Sequence, residues 1–588
     1  MAVADISGND ANLAKSFFQS VSDYQSKPFL FDKIEGEWTG QSWDEIADKV
    51  KRIASALLDL GIEAGDRVVI ASENRSEWAV CDLAIMAIGA IVVPAYTTNT
   101  EDDHRYILEH SDSKAAFVSG GMVGSRLLLA AQQLSAVKHI IAFDDGLTSN
   151  DKTTKLHRFD DLLVNSQPCA DLDERINAQA PDDTCCFIYT SGTGGRPKAV
   201  MLTHRSIQSN ISAAAELLDE GNAQNDAVFL SLLPLSHSYE HTAGMHLPFQ
   251  MGSQVWYCES PDQIALNLTE VKPTLMTAVP RLYEVLHDRI TRGVKAKGGL
   301  SEKLFFKAAD IGAKRVQGHS LSLGEKLLDK VLDKLVRAKV RDRLGGRLQY
   351  FVSGGAALNP EIGFFFMGLG INILQGYGQT EASPLISANR PGRIKIETVG
   401  PAVSGVEVKL ASDGELLAKG ACLMKGYWKD EAATKATIID GWLHTGDVAE
   451  ISDDGYISIT GRKKDIIVNS GGDNIAPGRV EALLTIEPEI EQAMVDGDKR
   501  PWLAAVLVPS AELAKSLNND EAAIKAALQN AVDRANSRLS QIEKVRRFVI
   551  ADEPFSTENG QMTPTLKAKR HIIRAVYEDK ITKLYPKK

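Results

Sequence analysis

The stretch that decides the fold is residues 66–100, which read DRVVIASENRSEWAVCDLAIMAIGAIVVPAYTTNT. Residues 67–71 form a short apolar run typical of a buried strand, residues 78–90 have helical spacing, and residues 91–95 form a second apolar run. The alternation recurs around residues 115–118 and 139–143. It predicts an α/β fold with largely parallel sheets covered by helices, in which functional residues lie beyond the carboxyl ends of strands.

The rest of the chain predicts further parts around this core. With 588 residues the chain is too long for a single hydrophobic core. Residues from about 282 to 343 are rich in Lys and Arg, lack proline and have apolar positions at helical spacing. They predict a helical insertion, which is either a solvated amphipathic pair or a face for a membrane surface or a partner. Short strands with Gly and Asp at about 400–460 predict a small β subdomain.

A domain boundary is predicted where the turn GRKKD, residues 461–465, separates two strands. We therefore expect a large N-terminal domain over residues 1–462, which includes the insertion and the β subdomain. Residues 463–588 alternate strand and helix again and predict a small α+β domain.

Composition excludes several classes of protein. The net charge of −11 and a sequence pI near 5.7 argue against a protein that coats nucleic acid. The six cysteines contain no paired C-x-x-C motifs, which argues against a zinc ribbon and fits a reducing compartment. The sequence has no signal-peptide pattern at its start and no long uninterrupted apolar run. We expect a cytoplasmic protein without a spanning helix.

A glycine-rich loop with hydroxyls and a lysine occupies residues 187–206, FIYTSGTGGRPKAVMLTHRS. Glycines allow the backbone N–H groups to approach an anion closely, and hydroxyl and ammonium groups add donors to phosphate. Pro197 precedes the lysine, so this is not a Walker A loop. The candidate phosphate ligands are Thr190, Ser191, Gly192, Thr193, Gly194 and Lys198.

A second glycine-rich stretch is residues 349–383, QYFVSGGAALNPEIGFFFMGLGINILQGYGQTEAS. Two strand-like segments end in glycines there, which can form a narrow slot for a flat base. Tyr377 can stack on that base, and Thr380 and Glu381 offer hard oxygens suited to Mg²⁺ beside phosphates. The remaining candidates in the slot are Gly355, Ala356, Gly376 and Gly378.

Three further residues complete the candidate site. Asp447, within GWLHTGD, is an acceptor for ribose hydroxyls, and Arg462 can reach the ribose or the α-phosphate. Lys567 lies near the end of the chain in GQMTPTLKAKR. His237 follows a likely strand end and is a candidate for the acid site, although a satisfied loop histidine is an equal alternative.

These stretches, in this order, resemble the adenylate-forming enzymes: acyl-CoA synthetases, firefly luciferases and peptide-synthetase adenylation domains. The family pattern Y-T-S-G-T-T-G-x-P-K-G matches residues 189–199, with Gly194 in place of a threonine and Ala199 in place of a glycine. Y-G-x-T-E matches residues 377–381, and T-G-D matches residues 445–447. Residues 233–252, the helical insertion and the ending TPTLKAKR resemble long-chain fatty acyl-CoA synthetases in particular.

The resemblance implies roles for individual residues. Lys567 corresponds to the lysine that a mobile C-terminal domain supplies for adenylation, Lys464 to the hinge position, and Gly471 to the stretch that faces CoA after rotation. Thr380, Glu381 and Arg462 would join Lys567 in catalysis, and His237 and Gly354 would contact the acid. Implied substrates are a long-chain fatty acid, ATP and CoA, with Mg²⁺; the resemblance implies no nucleic acid partner, and peripheral membrane contact stays open.

The sequence leaves two alternatives for the activity: an adenylate-forming ligase for another acid, such as a medium-chain or aryl acid, or for another acceptor, and a non-catalytic binding protein for fatty acid or nucleotide. A fatty chain requires a dry tunnel, and each buried methylene contributes about 0.8 kcal/mol to binding. Candidate walls, each of which could equally be ordinary core, are Phe229, Leu232, Phe249, Trp256, Met276 and Val279.

Overall fold

The structure, a computed structural model, describes residues 12–190, 196–221, 227–563 and 567–586. Ser191, Gly192, Thr193 and Gly194 of the predicted phosphate loop lie outside these residues. Within the described ranges, no helix combines the length and the apolar character needed to cross a bilayer.

The strands of the described residues pair into five sheets. In chain order they are β1 (Pro28–Ile34), β2 (Glu37–Ser42), β3 (Arg67–Ala71), β4 (Ile91–Pro94), β5 (Ser113–Val118), β6 (His139–Ala142), β7 (Lys155–Arg158), β8 (Thr184–Thr190), β9 (Lys198–Thr203), β10 (Val228–Ser231), β11 (Gln254–Tyr257), β12 (Leu275–Ala278), β13 (Tyr350–Ser353), β14 (Asn372–Gly378), β15 (Leu385–Ala388), β16 (Val406–Leu410), β17 (Glu415–Gly420), β18 (Gly426–Tyr427), β19 (Ile438–Ile439), β20 (Trp442–Ile451), β21 (Ile457–Arg462), β22 (Ile467–Val468), β23 (Asn474–Ile475), β24 (Ile490–Asp496), β25 (Leu503–Pro509) and β26 (Val545–Ile550).

Helices connect and cover these strands. In chain order they are α1 (Leu13–Tyr24), α2 (Trp43–Asp59), α3 (Ser76–Ala87), α4 (Glu101–His110), α5 (Gly121–Gln132), α6 (Phe159–Asn165), α7 (Leu172–Ala178), α8 (His204–Glu220), α9 (Leu247–Gln250), α10 (Ile264–Val271), α11 (Pro280–Lys297), α12 (Gly299–Val316), α13 (Leu323–Leu332), α14 (Ala338–Arg343), α15 (Pro360–Gly368), α16 (Glu431–Thr437), α17 (Pro477–Leu484), α18 (Ala511–Ser516), α19 (Glu521–Asn536) and α20 (Arg570–Thr582). Two π-helical turns, over Glu240–His246 and Asp333–Arg337, lead into α9 and α14.

Two eight-stranded sheets form the body of the chain. One has the order β15-β14-β13-β12-β10-β11-β1-β2 and the other β18-β9-β8-β4-β3-β5-β6-β7. Their inner strands are parallel. Three of the four edges are antiparallel, through β2 on β1, β15 on β14, and β9 on β8 followed by β18, whereas the edge strand β7 is parallel to β6. The predicted α/β class is confirmed, and the predicted parallel sheets are parallel at their centres and mixed as a whole.

Helix α3 lies where the two sheets share one core. It contacts β1 of the first sheet and β3 and β4 of the second. Its residues are buried on every side, including Trp78, which is 0% exposed. A helix that is apolar all round belongs in an interior layer, and burial of each large apolar side chain contributes about 1.5–3 kcal/mol. The βαβ unit read from residues 66–100 is therefore the element that joins the sheets.

The C-terminal part of the chain has cores of its own. The five-stranded antiparallel sheet contains β16, β17, β19, β20 and β21. After it, β24, β25 and β26 form a small mixed sheet covered by α17, α19 and α20, and one apolar cluster of this part runs from Ile467 to Phe548. This part of the chain therefore buries its own apolar side chains.

The segment predicted as a helical insertion forms α11 to α14. Helix α12 packs on α15 so closely that a Cβ on Gly312 would collide with the backbone of Gly368. Arg337, which is completely buried, ties the two together: its guanidinium donates to the carbonyls of Gly368 at 2.7 Å and Ala308 at 2.8 Å, and to Asp329 Oδ1 at 2.6 Å. The insertion is thus fixed to α15, which itself packs on β14 of the first sheet.

Replacement of Arg337 tests this anchoring. We expect Arg337→Ala to lower the free energy of unfolding by about 3–5 kcal/mol, because three carbonyls and one oxygen of the buried Asp329 carboxylate lose their donor. Urea unfolding followed by tryptophan fluorescence measures the change. Arg343→Ala, at an exposed position of the same insertion, is the matched control; equal losses in both variants would contradict the anchoring role.

Candidate active site

A large cleft opens beyond the carboxyl ends of β13 and β14 and extends to the C-terminal part of the chain. Its volume is about 2880 Å³, and its lining includes Thr190, Tyr377, Asp447, Arg462 and Lys567. Residues from the first sheet, the second sheet, the antiparallel sheet and the last described segment therefore meet around one space. That convergence is what the motifs, spread over most of the sequence, require.

The slot predicted for a flat base lies at the ends of β13 and β14. These strands are parallel neighbours with Ser353 opposite Gln375, and Gly354, Gly355, Ala356, Gly376 and Gly378 all line the cleft. A Cβ on Gly354 would lie 3.2 Å from the Tyr239 ring, and one on Gly378 would collide with the Pro384 carbonyl. Only glycine keeps the backbone of the slot this close to its neighbours.

Asp447 is held as an acceptor inside the cleft. Tyr377 donates its hydroxyl to Asp447 Oδ2 at 2.5 Å, and Arg462 donates Nε–H to Oδ1 at 3.0 Å. Arg462 is the direct partner of Asp447 across β20 and β21, so the sheet register itself sets this pair. Asp447 is buried while the guanidinium of Arg462 is half-exposed, which leaves the cation free to meet an anion in the cleft.

Thr380 and Glu381 follow β14 in a short turn at the cleft. The Thr380 hydroxyl lies 3.1 Å from Ser238 Oγ, and Tyr427 donates its hydroxyl to Glu381 Oε1 at 2.7 Å. Both side chains line the cleft. Carboxylate and hydroxyl oxygens are the donors that Mg²⁺ prefers, so the residues fit the ion that the sequence implied.

The described ends of the phosphate loop are Thr190 and Lys198, which are opposite each other at the ends of β8 and β9. The hairpin of β8 and β9 therefore carries the loop toward the cleft. Lys198 Nζ lies 3.4 Å from Asp430 and 4.8 Å from the centroid of the Tyr427 ring. One aromatic residue thus touches both the loop lysine and Glu381.

Tyr427, Ser238 and Tyr239 are site residues that sequence reasoning missed. Tyr427 belongs to β18, which pairs antiparallel with β9 and brings it beside the phosphate loop. The only sequence signal was the tyrosine in KGYWKD, residues 425–430, and a lone tyrosine is more often packing. Tyr239 donates its hydroxyl to the Val352 carbonyl at 2.8 Å and so supports the slot.

Lys567 projects into the cleft toward His237, Arg462 and Asp447. Its side chain is solvent-accessible there, yet the surrounding protein lowers the pKa of its ammonium group by desolvation and by repulsion from Arg462, against attraction from Asp447. Its backbone N–H donates to Thr563 Oγ1 at 3.0 Å, and its carbonyl accepts from the Thr563 N–H at 2.8 Å. These two bonds fix the direction of the backbone at Lys567.

His237 is neutral in this setting. Desolvation and the nearby charge of Lys567 lower its pKa to about 4. Its Nδ1 accepts from the Tyr239 N–H at 3.1 Å, so the proton of the neutral ring resides on Nε2. His237 therefore offers the cleft an uncharged N–H donor.

Lys464 and Gly471 lie at different places relative to the cleft. Lys464 is exposed in the turn after β21 and lines the cleft edge, whereas Gly471 is exposed in the turn between β22 and β23 and is absent from the lining. The neighbouring Lys463 is held by Asp413 at 2.6 Å and by Glu415 at 3.0 Å. The structure brings Lys567 to the residues predicted to bind the nucleotide and leaves Gly471 outside the cleft.

An apolar branch of the cavity passes between α8 and the first sheet. Of the predicted walls, Phe229 lines it; Met276 touches the cleft as well but packs with the apolar cluster on the opposite face of the sheet. Leu232, Phe249, Trp256 and Val279 do not line it: Phe249 packs in the core against Phe29, and Trp256 stacks on Phe31 with centroids 3.8 Å apart. The lining that the sequence did not indicate includes Ala214, Leu217, Ala243, Leu247, Leu275 and Leu374.

A π-helical turn, Glu240–His246, forms one wall between this branch and the core. Asp82 of α3 accepts from His241 at 2.9 Å and lies 3.3 Å from His246. Burial alone would raise the pKa of Asp82, but the two imidazoles outweigh it and lower the pKa to about 2. Glu240 accepts from Ser231 at 2.7 Å and Thr277 at 2.5 Å, while desolvation raises its pKa to about 7. Buried polar bonds therefore tie the side chains of this turn to the core, and its π-helical form is a rare one that often occurs at functional sites.

Two families match the chain. The family described as AMP-binding enzyme matches residues 17–428, and the family described as AMP-binding enzyme C-terminal domain matches residues 464–588. Together these matches include the slot, the loop hairpin and Lys567.

Curated relatives and solved structures are similar to this chain over most of its length. Long-chain-fatty-acid–CoA ligase FadD15 of Mycobacterium tuberculosis is 32% identical, with 99% of this chain and 98% of that protein covered. Long chain acyl-CoA synthetase 6, peroxisomal, of Arabidopsis thaliana is 29% identical, with 98% and 86% covered. The crystal structure of anthranilate CoA ligase AuaEII with anthranoyl-AMP has a TM-score of 0.76 at 19% identity and covers 99% of this chain and 100% of its own. The last comparison shows a common fold.

Proposed function

The chain belongs to the AMP-binding enzyme family, and from that membership we propose that it is an ATP-dependent, AMP-forming ligase that joins a long-chain fatty acid to coenzyme A. The full-length similarity to long-chain-fatty-acid–CoA ligases supports the substrate class. The observation that carries the proposal is the convergence of Lys567, Arg462, Asp447 and His237 at one end of an apolar cavity. The cytoplasmic location expected from the sequence stays a prediction.

The first half-reaction must bring two anions together. A carboxylate oxygen attacks the α-phosphorus of ATP, the bond from phosphorus to the bridging oxygen breaks, and pyrophosphate leaves with the electron pair. The ammonium of Lys567 and the guanidinium of Arg462 offset the repulsion between the reactants, and neutral His237 can donate Nε2–H to an acid oxygen. Such donors act strongly where water is scarce, and each lowers the free-energy barrier by about 3 kcal/mol.

Residues for the nucleotide follow from the geometry of the slot. We assign the base to the glycine-lined gap of Gly355, Ala356 and Gly376, with Tyr377 beside it, and the ribose hydroxyls to Asp447. The phosphates belong to Thr190, Lys198 and the loop between them. Thr380 and Glu381 would hold Mg²⁺, which supplies positive charge on the phosphates when bound. Tyr427 keeps Glu381 in position through its hydroxyl.

The second half-reaction requires the lysine to leave. The sulfur of a CoA thiolate attacks the acyl carbon, the bond from that carbon to the phosphate oxygen breaks, and AMP departs, while the thiol proton has gone to solvent. We propose that residues 463–588 rotate as a domain about Lys464, which moves Lys567 out and Gly471 in. The exposed turn at Lys464, beside the anchored Lys463, supports this position for the hinge.

The acid chain is assigned to the apolar branch of the cavity. Ala214, Leu217 and Leu247 offer apolar walls, and the branch starts beside His237, where the carboxylate would lie. Each methylene that enters contributes about 0.8 kcal/mol. A long chain therefore binds tightly even though its carboxylate is repelled by the nucleotide.

Separate measurement of the two half-reactions tests the role of Lys567. We expect Lys567→Ala to slow acyl-adenylate formation by about a hundredfold, yet to transfer a supplied acyl-adenylate to CoA at close to the normal rate. Pyrophosphate release and thioester formation are the two assays. Lys580→Ala, which removes an exposed ammonium paired with Asp552, is the control. Equal loss of both half-reactions in the Lys567 variant would remove the assigned role.

The pH dependence follows from the lowered pKa of Lys567. Its charge is lost at a pH below the ordinary lysine value, so the second-order rate constant for adenylation should fall with rising pH before that value is reached. Transfer of a supplied acyl-adenylate to CoA should show no such fall, since the thiolate is favoured at high pH. The residual adenylation of Lys567→Ala should lack this alkaline limb, and its persistence there would assign the limb to another group.

A bulky residue in the apolar branch tests the substrate class. Ala214→Trp should block acids long enough to pass α8, with at least a tenfold loss in kcat/KM, while it spares short acids. Ser212→Trp adds the same bulk two residues away at an exposed position of the same helix and should leave the profile unchanged. CoA-thioester formation across a length series measures both. An unaltered length profile in Ala214→Trp would move the chain to another part of the cleft.

A further inference from the structure

The helical insertion carries an outward face that packing does not explain. Helix α13, the π-helical turn Asp333–Arg337 and α14 form one continuous helix from Leu323 to Arg343. On its outer side Leu323, Leu327, Val331 and Leu335 follow at four-residue intervals and are 86%, 70%, 46% and 49% exposed. Scattered exposed leucines are ordinary, but a row of four along one helix is a patch. We call it the outer stripe.

The opposite side of the same helix is a finished interior. Leu332 is completely buried with Ile311 and Ala308, and Leu328 and Val336 pack against them. The helix begins with a capping box between Ser322 and Glu325. The helix therefore has two apolar surfaces. One is buried in the cluster of Ala308, Ile311 and Leu332, and the outer stripe is the second, which remains exposed.

Charge is divided between the two sides of the helix. Three of the four acids are turned inward or paired: Glu325 accepts from Ser322, Asp329 pairs with Arg337 at 2.6 Å and with Arg315 at 2.8 Å, and Asp333 pairs with Arg341 at 3.1 Å. The fourth, Asp342, is exposed near the end of α14. The outer side carries lysines next to the apolar residues, all exposed. In the described part of the chain these ammonium groups have no carboxylate within ion-pair distance; they are Lys326, Lys330, Lys334 and Lys339.

We propose that the outer stripe and its four lysines dock the protein on an anionic lipid bilayer. Large apolar residues on one side of a helix enter the boundary between headgroups and acyl chains, while lysines extend along the surface to the anionic headgroups. A positive face on a chain with a net charge of −11 orients the molecule as it approaches such a surface. The proposal uses only the outer face of the insertion and does not rest on the proposed function.

Charge complementarity favours the bilayer over a second copy of the chain. A symmetric dimer through this face would place the same lysines opposite each other, and like charges at an interface are repulsive. An anionic bilayer supplies negative charge and an apolar interior at once. No protein partner needs to be invoked to satisfy both halves of the face.

The insertion that carries the outer stripe is connected to the edge of the cleft. Gln317, just after α12 and six residues before Leu323, lines the cleft together with Asn359 and Glu361. Helix α12 is in turn fixed to α15 through the Gly312–Gly368 contact and Arg337. The insertion that carries the outer stripe is therefore rigidly joined to elements that line the cleft.

Vesicle co-sedimentation of the full-length protein tests the proposal. The probes are vesicles of phosphatidylcholine alone and vesicles with about a third phosphatidylserine, each at low and high salt. We expect binding to the anionic vesicles, weaker at high salt and much weaker to phosphatidylcholine. The triple variant Lys326→Glu, Lys330→Glu, Lys334→Glu should bind at least about a hundredfold more weakly, since loss of each lysine near the surface weakens binding by about a factor of five and reversal of its charge adds repulsion.

Two comparisons make the result decisive. The triple variant Lys152→Glu, Lys515→Glu, Lys525→Glu changes the net charge equally at exposed positions outside the insertion and should bind like the wild type. Leu327→Ser with Leu335→Ser keeps the lysines and should lose most of the binding that survives high salt. Unchanged CoA-thioester formation with a short, water-soluble acid shows that the variants are folded.

Three outcomes would overturn the proposal. They are wild-type protein that ignores anionic vesicles, an outer-face charge variant that binds as well as the control variant, and a dimer in solution that Leu327→Ser dissociates. The last would assign the stripe to a second copy. A failed vesicle assay with intact thioester formation would leave the proposed function untouched, so the two proposals fail separately.

Discussion

One shared apolar core between two sheets is the constraint on which the rest of the structure depends. Helix α3 can be buried on every side only if a sheet lies on each side of it. The two eight-stranded sheets are therefore held face to face across a common layer, and the carboxyl ends of β8, β13 and β14 open into the same cleft. Residues nearly 400 positions apart in the chain meet there because this core fixes the orientation of both sheets.

Within the cleft, electrostatics are arranged in advance of any substrate. Asp447 is fixed by Tyr377 and by Arg462 across a strand pair, so its carboxylate is already oriented before a ligand binds. Lys567 faces the cation of Arg462 as well as the anion of Asp447. Desolvation and repulsion from Arg462 make the charge of Lys567 less favourable than it is in water. An ammonium held in this way gains most when a negative charge develops beside it, which is the requirement for transfer between two anions.

The helical insertion combines stability and exposure in one element. Arg337 and the Gly312–Gly368 contact fix it to α15, and its inward carboxylates are satisfied by arginines. Those inward pairs leave an outward side on which lysines lie beside the apolar residues of the outer stripe. The same helix thus provides a packed inner side and a basic, apolar outer side. The outer side differs from an ordinary solvated helix face because most acids of the helix are paired elsewhere and do not neutralise its lysines.

The sequence by itself determined the local elements and the identity of the chemistry. Strand β3 has the bounds expected from residues 67–71, and β4, β5 and β6 begin or end within two residues of their apolar runs, because short-range periodicity reflects burial directly. The motifs named Asp447, Arg462 and Lys567, since a resemblance compares residue types at fixed spacing. Tertiary structure alone decided which of those residues touch. The bond from Tyr427 to Glu381, the neutral state of His237 beside Lys567, and the placement of Ala214 rather than Phe249 along the cavity depend on packing between distant segments, which no local pattern records.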